Sequence, residues 1–572
     1  MDPFASSIRA ALASHTGLDE GELRLESPRD AALGDYAFPC FPLAKALRKA
    51  PPAIATDLAT GLAESLSGIE VLATGPYLNF RVERGLLAST VIGMISEAQQ
   101  AGRPWGASDE GAGRTVVLDF SSPNIAKPMS VGHLRSTVIG AAIQRLHDAL
   151  GYETVGINHI GDWGSQFGKL VAAVNRWGET VELEEDPIIS LLALYVRYHE
   201  EEQDDPTLKE EGRAAFRELE SGEDGAVRAI WRHLTELSLG EFDKLYSRLG
   251  VTFDEVRGES FYETHLEGTV KRVETTGITE MSEGALIVDL SETEKNMPPC
   301  LLRKTDGTTL YATRDLAAVF HRHQLYNFER CLYMVGSDQK LHFRQLKGVL
   351  ARMGLDWEQR VEHIAFGMLR LPEGKMSTRA GRVVFLDDVL DRAVEEARRI
   401  IAEKNPSLEG ADEVAEAVGV GAVVFNDLKR ERVKDVEFVW EEVLSFEGET
   451  GPYVQYTHAR LSSILRKGAE AGEVPSEPQA LDGALLADAA PLLMALLRFP
   501  DVLRSAAAHA EPSEVVSWLL AFCRETNAWY GRNRVLGQES ALTGARLALI
   551  QCSKLVIASS LQLIGVAAPE EM

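Results

Sequence analysis

The sequence predicts a multidomain α/β protein, in which an α+β unit precedes a mainly parallel sheet flanked by helices and an all-helical unit follows it. The chain has 572 residues, which is too long for a single hydrophobic core. Strand-like apolar runs alternate with helical patterns between about 114 and 400, and this alternation is typical of parallel sheets. Beyond residue 452 the chain is rich in Ala and Leu and shows only helical patterns.

Four segments follow in chain order. Residues 1–110 open with a helical pattern at Phe4, Ile8 and Leu12, and a Gly-rich linker lies at 102–113. Residues 111–400 contain an acidic helical stretch at about 179–258, which we interpret as an insertion. Residues 401–450 are predicted to be a connecting stem, and 451–572 the helical unit. The expected strands of the parallel sheet lie at 115–120, 152–158, 285–290, 331–335 and 363–371.

Bulk composition excludes several classes of protein. The formal charge of −27 argues against a general nucleic-acid coat protein, although basic clusters such as 429–434 and 524–534 leave room for a specific RNA partner. The five cysteines are scattered without a CxxC pair, so we expect reduced thiols in a cytoplasmic protein. The chain contains no run of about 18 apolar residues, so we predict no membrane span. The N-terminus lacks the layout of a signal peptide.

Two short segments predict a site for a nucleotide triphosphate. The first reads DFSSPNIAKPMSVGHLRS over residues 119–136, and it joins a predicted strand to a predicted helix. Such a turn directs backbone N–H groups and the helix dipole at an anion. The second reads GKMSTRAG over residues 374–381 and supplies a basic loop that could close over the same anion. Either segment alone is a weak signal, because a helix-capping His133 or an exposed turn would look the same.

Together the two segments resemble the HIGH and KMSKS signatures of class I aminoacyl-tRNA synthetases. The chain resembles the arginyl-tRNA synthetase family in particular, from about residue 33 to its end. The further segments that carry the resemblance are NHIGDWGSQFG at 158–168, GES at 258–260, LYATRDLA at 310–317, VGSDQKLHF at 335–343 and GPYVQYTHAR at 451–460. The resemblance implies a Rossmann-like catalytic domain at 111–400, an N-terminal domain that contacts tRNA and a helical anticodon-binding domain.

Two departures from the signatures concern catalysis. Ser130 replaces the first histidine of HIGH, and Thr378 replaces the second lysine of KMSKS. Within the family the second change is commonly linked to a lysine ahead of HIGH, and Lys127 fills that place. We therefore assign the catalytic phosphate contacts to Lys127, Ser130, His133 and Lys375.

The resemblance also implies where ATP and arginine bind. A planar guanidinium requires carboxylate acceptors, for which Asp315 and Glu259 are the candidates. A salt bridge of Asp315 to Arg314, or a turn-forming role for Asp338, are the alternatives. The residues expected to contact ATP are Gly132, His159, Gly161, Asp162, Gly336, Asp338, Met376 and Ser377. Those expected to contact arginine are Asp119, Asn124, Glu259, Tyr311, Asp315 and Gln339, with Asp119 standing where the family more often has Glu.

The implied function is ATP-dependent ligation of L-arginine to tRNA(Arg) through an arginyl-adenylate, by a monomeric cytoplasmic enzyme. Activation is expected to wait for tRNA, as in the few class I synthetases that need it. No Asp/Glu cluster suggests a metal site made by the protein, so Mg²⁺ would be held mainly by the ATP phosphates. A catalytically silent tRNA-binding paralogue and a synthetase for another amino acid are the alternatives. The candidate tRNA contacts, each of which could instead be a core residue, are Tyr453, Tyr456, His458, Arg460, Trp529 and Arg534.

Overall fold

The computed structural model describes residues 2–28, 30–181, 183–370 and 385–572. The N-terminal unit is a three-stranded antiparallel sheet, ordered β1-β3-β2, that packs against helices. The predicted Phe4, Ile8 and Leu12 stripe is the buried face of the first helix, and Asp2 caps that helix by accepting from the N–H groups of Phe4 and Ala5. The elements are α1 (Pro3–Thr16), β1 (Tyr36–Pro39), α2 (Leu43–Leu47), α3 (Pro51–Leu62), β2 (Ile69–Thr74), β3 (Tyr77–Val82) and α4 (Arg84–Gln100).

A five-stranded parallel sheet, ordered β11-β10-β4-β5-β6, forms the centre of the molecule. Its central strand β4 is apolar and buried because helices cover both faces of a parallel sheet. The sheet strands and the helices between them are β4 (Thr115–Asp119), α5 (Val131–Ala149), β5 (Glu153–Asn158), α6 (Ser165–Trp177), β6 (Glu255–Val256), α10 (Leu266–Glu274), α11 (Tyr311–Tyr326), β10 (Arg330–Tyr333), α12 (Lys340–Arg352) and β11 (Val361–His363).

The predicted fold class is confirmed, with two corrections to the strands. Residues 285–290 do not join the parallel sheet: β8 (Ala285–Val288) lies between β7 (Thr279–Ser282) and β9 (Cys300–Arg303) in a separate antiparallel sheet. The Glu283-Gly284 turn, in which both residues have positive φ, reverses the chain directly into β8 and so makes a hairpin. The predicted 363–371 strand is divided, since β11 ends at His363 and β12 (Leu369–Arg370) pairs instead with β13 (Val436–Glu437).

Three helices occupy the acidic stretch that was interpreted as an insertion, between α6 and β6: α7 (Pro187–Glu201), α8 (Pro206–Ser221) and α9 (Ala226–Leu249). After the sheet come α13 (Leu386–Lys404), α14 (Ala411–Leu428) and α15 (Trp440–Val443). The C-terminal unit is helical, as predicted, and consists of α16 (Gly451–Glu470), α17 (Ala490–His509), α18 (Ser513–Arg532) and α19 (Ser540–Leu563).

Two segments of this C-terminal unit, Gly483–His509 and Ser540–Leu563, have the length and composition of a membrane span. The sequence had predicted none, because neither segment is an unbroken apolar run. Most of each apolar window is buried inside the protein. This burial is what core helices of a soluble bundle show, so the two helices are weak evidence for a membrane span.

Candidate active site at the carboxyl edge of the parallel sheet

Four neighbouring parallel strands bring the predicted site residues to one edge of the sheet. Asn124 follows β4, Gly161 follows β5, Glu259 follows β6 and Asp338 follows β10. Ligands of open α/β sheets bind in the crevice outside the carboxyl ends of the strands. The strand order therefore turns four distant sequence segments into one candidate site.

The loop from β4 to α5 is strained and firmly held. Ser121, Ser122 and Ala126 all have positive φ, at 71°, 52° and 60°, which is uncommon for residues other than glycine. Such strain persists only where the surroundings over-determine the backbone. Here the three N–H groups donate to the Ser136 Oγ at 2.9 Å, the Asn158 Oδ1 at 3.2 Å and the Ser238 Oγ at 3.0 Å, respectively.

Ser130 and His133 cap the start of α5. The Ser130 N–H donates to the His133 Nδ1 at 3.0 Å, and the Ser130 Oγ lies 3.1 Å from the same nitrogen. Because Nδ1 accepts, the neutral ring carries its proton on Nε2 and can donate it. Burial lowers the pKa of His133, and the nearby charge of Lys127 acts in the same direction. The structure thus gives His133 both the capping role and a free N–H donor.

Lys127 is a half-buried cation beside this helix start. Its Nζ lies 3.4 Å from the Gln166 Oε1 and 5.6 Å from the centre of the Tyr195 ring. Burial lowers its pKa, and among the described residues no carboxylate lies within ion-pair distance of it. An unpaired, partly desolvated ammonium is suited to an anionic ligand.

Lys375, Met376 and Ser377 lie outside the described residues, but the chain on both sides of them is placed. On one side, Leu369–Arg370 forms β12. On the other side, Phe385 forms an antiparallel bridge with Ser130, and the Leu386 N–H donates to the Met129 carbonyl at 2.9 Å. The chain therefore returns next to the start of α5.

The turn after β5 packs against the loop after β4. Gly161 forms a parallel bridge with Asn124, and a Cβ at Gly161 would lie 2.0 Å from the Asn124 Oδ1, so a larger residue at 161 would displace the Asn124 amide. His159 lies beside Tyr262, with 5.5 Å between ring centres, and its buried Nδ1 has no hydrogen-bond partner within the described chain.

Asp162 was expected to contact ATP, but its carboxylate has another task. It accepts from the Ser260 N–H at 2.9 Å and the Ser260 Oγ at 2.6 Å, and it is buried. Both oxygens are thereby used to join the turn after β5 to the segment after β6. The geometry assigns Asp162 to holding the site together.

The turn after β10 carries two exposed polar residues. Asp338 accepts a hydrogen bond from the Gln339 Nε2 at 3.2 Å. The turn itself is anchored by the Ser337 N–H, which donates to the Phe366 carbonyl at 2.9 Å. Both side chains remain open to solvent at the edge of the sheet.

Carboxylates gather around the start of α11. Asp315 is hydrogen-bonded to the His342 Nε2 at 2.5 Å, and Glu263 pairs with the Arg314 Nε at 2.9 Å, so Arg314 does not take Asp315 as its partner. Burial raises the pKa of Glu259 to about 7; the charges of Asp162, Asp315 and Glu263 add to the effect and that of Arg314 opposes it. Tyr311, one turn before Asp315, is 68 % exposed. This pocket holds more negative charge than its cations neutralise.

The Asp119 carboxylate forms an ion pair with Arg322, a residue that the sequence analysis did not identify. Arg322 is fully buried, and its Nη2 lies 2.8 Å from the Asp119 Oδ2, while the Asp119 Oδ1 accepts from the Ser122 Oγ at 3.0 Å. A signal was present in the sequence, because Arg322 is seven residues after Asp315 and so lies on the same side of the predicted helix.

The C-terminal unit has its own basic cavity of about 830 Å³, which Tyr456, Arg460 and Arg534 line. Tyr456 is 41 % exposed, and the Arg460 guanidinium lies 4.9 Å from the centre of its ring. Tyr453 is half-buried and accepts from the Asn527 Nδ2 at 3.1 Å.

His458 and Trp529 are each only 1 % exposed. The His458 Nδ1 bonds the Pro569 carbonyl at 2.9 Å, and Trp529 belongs to the core of the bundle. A direct contact of these two side chains with a nucleotide, which the sequence suggested, is corrected to a packing role, because neither has surface to offer.

Comparisons with known proteins agree along the whole chain. The model described as "tRNA synthetases class I (R), catalytic domain" matches residues 99–440, the arginyl tRNA synthetase N-terminal domain matches 3–82, and the DALR anticodon binding domain matches 454–572. The chain is 45 % identical to an arginine–tRNA ligase of Exiguobacterium sibiricum over 569 residues, covering 100 % of this chain and 99 % of that one. It is also 45 % identical to an arginine–tRNA ligase of Clostridioides difficile over 556 residues, covering 97 % and 96 %.

A solved structure gives the same result. The arginyl-tRNA synthetase of Thermus thermophilus matches with a TM-score of 0.83 and 28 % identity, covering 99 % of both chains. The family models, the curated relatives and the solved structure all indicate one family. The chain therefore belongs to the arginyl-tRNA synthetase family, within the class I synthetases.

Proposed function

We propose that this site activates L-arginine with ATP and then transfers the arginine to tRNA(Arg). In the first step an arginine carboxylate oxygen bonds to the α-phosphorus, and the bond from that phosphorus to the β-phosphate bridging oxygen breaks, releasing pyrophosphate. In the second step a tRNA hydroxyl displaces AMP. The observation that carries the proposal is the surplus of carboxylates around Glu259 and Asp315 at the same sheet edge as Lys127, which has no carboxylate partner in the described part of the chain.

The triphosphate is assigned to the start of α5. Lys127 and the Nε2–H of His133 neutralise charge that grows on the leaving pyrophosphate, and the Ser130 hydroxyl adds a weaker contact. Lys375, with Met376 and Ser377, is assigned to the same set, and further along the chain Phe385 forms a bridge with Ser130. The adenosine lies over Gly132, Gly161 and Gly336, near His159, and Asp338 accepts from the ribose hydroxyls.

Mg²⁺ is assigned to the triphosphate. Within the described part of the chain, no group of three His, Cys, Asp or Glu side chains is placed to hold a metal ion. An Mg²⁺ ion bound to the triphosphate would reach the site with ATP and would neutralise part of its charge.

The arginine guanidinium is assigned to Asp315 and Glu259, with the exposed Tyr311 as a cover. A planar fork of donors matches carboxylate acceptors, and a shorter or neutral analogue would leave a buried acid unpaired. Asn124, Gln339 and Asp119 remain for the α-ammonium group. Because both Asp119 oxygens already have partners, we assign its contribution to the field at that end of the substrate.

The tRNA is assigned to the C-terminal cavity, where Tyr456, Arg460 and Arg534 combine an aromatic face with positive charge. Unstacked bases bind to such surfaces by stacking and ion pairing. Tyr453 supports the cavity through Asn527.

Pyrophosphate exchange tests the proposal. Exchange is measured with arginine, lysine and citrulline in turn, each with and without tRNA(Arg) whose 3′ end cannot be charged. Of the three amino acids, we expect only arginine to support exchange, and only when tRNA is present. Exchange with another amino acid would contradict the arginine assignment, whereas exchange without tRNA would contradict only the tRNA requirement.

The two alternatives are less well supported. A silent paralogue would not need the charged donors and acids at one edge, and full-length relatives named arginine–tRNA ligase do not favour another amino acid. We further propose a monomer that works in the cytoplasm; all five cysteines are free and buried, in keeping with a reducing compartment. Light scattering at micromolar concentration tests the monomer.

A further inference from the structure

Arg135 is a fully buried arginine on α5, two residues after His133. Its guanidinium bonds three main-chain carbonyls: Nη1 donates to those of Gly367 at 2.7 Å and Lys434 at 2.9 Å, and Nη2 donates to that of Arg432 at 3.3 Å. Its Nε lies 2.9 Å from the Asp427 Oδ1 on α14. An arginine directed so fully at backbone carbonyls fixes the position of the chain segments that own them.

Those carbonyls belong to the strand pair that leads to the Lys375 loop. Gly367 precedes β12, and Lys434 precedes β13, with Leu369 facing Val436 in the pair. A Cβ at Gly367 would lie 2.5 Å from the Lys434 carbonyl carbon, so the two backbones are in direct contact. The Gly367 N–H also donates to the Arg432 carbonyl at 2.8 Å. The two segments are therefore joined directly, backbone to backbone.

Arg432 continues the connection to the C-terminal unit. Its Nη1 donates to the Ala365 carbonyl at 2.7 Å and its Nε to the Ala510 carbonyl at 3.0 Å. Its main-chain N–H donates to the Glu511 carboxylate, at 3.2 and 3.3 Å from the two oxygens. The sequence had placed Arg432 in a basic cluster open to RNA, but these bonds use its side chain inside the protein.

The buried ion pair between Arg135 and Asp427 is expected to add little net free energy of unfolding. Both side chains are about 1 % exposed, and burial raises the pKa of Asp427 to about 6, against the opposing charge of Arg135. Buried pairs of this kind often stabilise no better than apolar residues would, so we assign the positioning role of Arg135 to its three carbonyl bonds.

We propose that Arg135 is a positioning residue for arginine activation. It sets the distance between the start of α5, which carries His133, and the β12 segment that leads to Lys375. Arg432 ties the same segment to the C-terminal unit. Donors from the two signatures must converge on one triphosphate, and a misplacement of about 1 Å can cost about a hundredfold in rate. This inference rests on the proposed function.

The test is Arg135→Lys, assayed by arginine-dependent pyrophosphate exchange at saturating tRNA. Lysine keeps the charge but cannot reach four acceptors. We expect kcat to fall at least about tenfold, with the KM values for ATP and arginine within about threefold. Two matched variants separate positioning from folding. Asp427→Asn should lower the unfolding midpoint with kcat near wild type, because the three carbonyl bonds remain. Arg498→Lys, which alters a bond to the Asp35 carbonyl between other units, should leave kcat unchanged.

A double-mutant cycle measures the coupling between Arg135 and Lys127 in kcat, which a purely structural role of Arg135 would leave at zero. Lys127→Ala and Arg135→Lys should be non-additive, since both act on the same phosphate contacts. If Arg135→Lys does not fold, Gly367→Ala is tested instead. The Cβ added at position 367 would push the β12 and β13 segments apart, so we expect the same loss of kcat. A wild-type kcat in folded Arg135→Lys or in Gly367→Ala overturns the proposal, as does strict additivity. Absence of arginine-dependent exchange in the wild type would instead overturn the proposed function.

Discussion

The two halves of the site are built in different ways. The phosphate half uses the strained loop after β4 and the capped start of α5, and it holds its donors with main-chain and hydroxyl contacts. In the guanidinium half, Asp315 is already hydrogen-bonded to His342, and burial raises the pKa of Glu259 to about 7. Among the described residues Lys127 has no carboxylate partner, so the phosphate half can bind its anion without breaking an ion pair. The guanidinium half must release Asp315 from His342 and ionise Glu259 when its cationic ligand binds, so its charges respond to pH and ligand.

The largest effect is expected in the phosphate half. Lys127→Ala should lower kcat for pyrophosphate exchange by about 10²–10³-fold, the usual cost of one such donor. The arginine KM should change little, because the charge that Lys127 meets appears only in the transition state. Lys169→Ala is the control, as its Nζ is already paired with Glu202 at 2.9 Å. A kinetically silent Lys127→Ala would show that Lys127 does not compensate for Thr378.

The guanidinium half should show the opposite pattern. Asp315→Ala is expected to raise the arginine KM about a hundredfold or more, because a buried charge without its partner costs about 3–5 kcal/mol. The ATP KM should stay near wild type. Asp306→Ala, which removes an exposed carboxylate shortly before α11, controls for net charge. An unchanged arginine KM in Asp315→Ala would show that Asp315 does not bind the guanidinium and that the two halves do not differ as proposed.

The C-terminal cavity lies outside both halves and should affect tRNA alone. Tyr456→Ala is expected to raise the tRNA KM in aminoacylation about tenfold, within the range of one lost stacking contact, with the unfolding midpoint unchanged. Trp529→Ala is the contrast, because truncating this buried ring should cost about 3–5 kcal/mol of stability. If both variants lower stability alike, the cavity assignment for Tyr456 fails.

The smallest expected effect is a pH dependence of the arginine KM, caused by the titration of Glu259. With a pKa of about 7, Glu259 becomes protonated as the pH falls through neutrality, and a protonated acid cannot pair with the guanidinium. The arginine KM should therefore rise below pH 7, by at most about tenfold per unit, and level off above pH 8. Glu259→Gln should remove this dependence between pH 6 and 8. The ATP KM measured in parallel should not follow the same curve, and a shared curve would locate the titrating group elsewhere.

The fold class, the helical C-terminal unit and the two signature segments could be predicted from the sequence. These features rest on local information: the period of apolar residues, the Gly and Pro positions, and the residue order in 119–136. Hydrophobic spacing at Phe4, Ile8 and Leu12 was sufficient to predict the buried face of α1. The candidate acids and cations were also visible, because their types and order suit the chemistry.

The contacts that those residues make became visible only in the folded chain. Pairing across the sheet moved 285–290 into a separate hairpin, and contacts between distant segments engaged Asp162 with Ser260 and Asp119 with Arg322. The same chemistry gives an exposed Tyr456 and a buried Trp529 on neighbouring helices. Hydrogen-bond partners, and the burial of single aromatic residues, depend on packing between distant segments, about which the local sequence pattern carries little information.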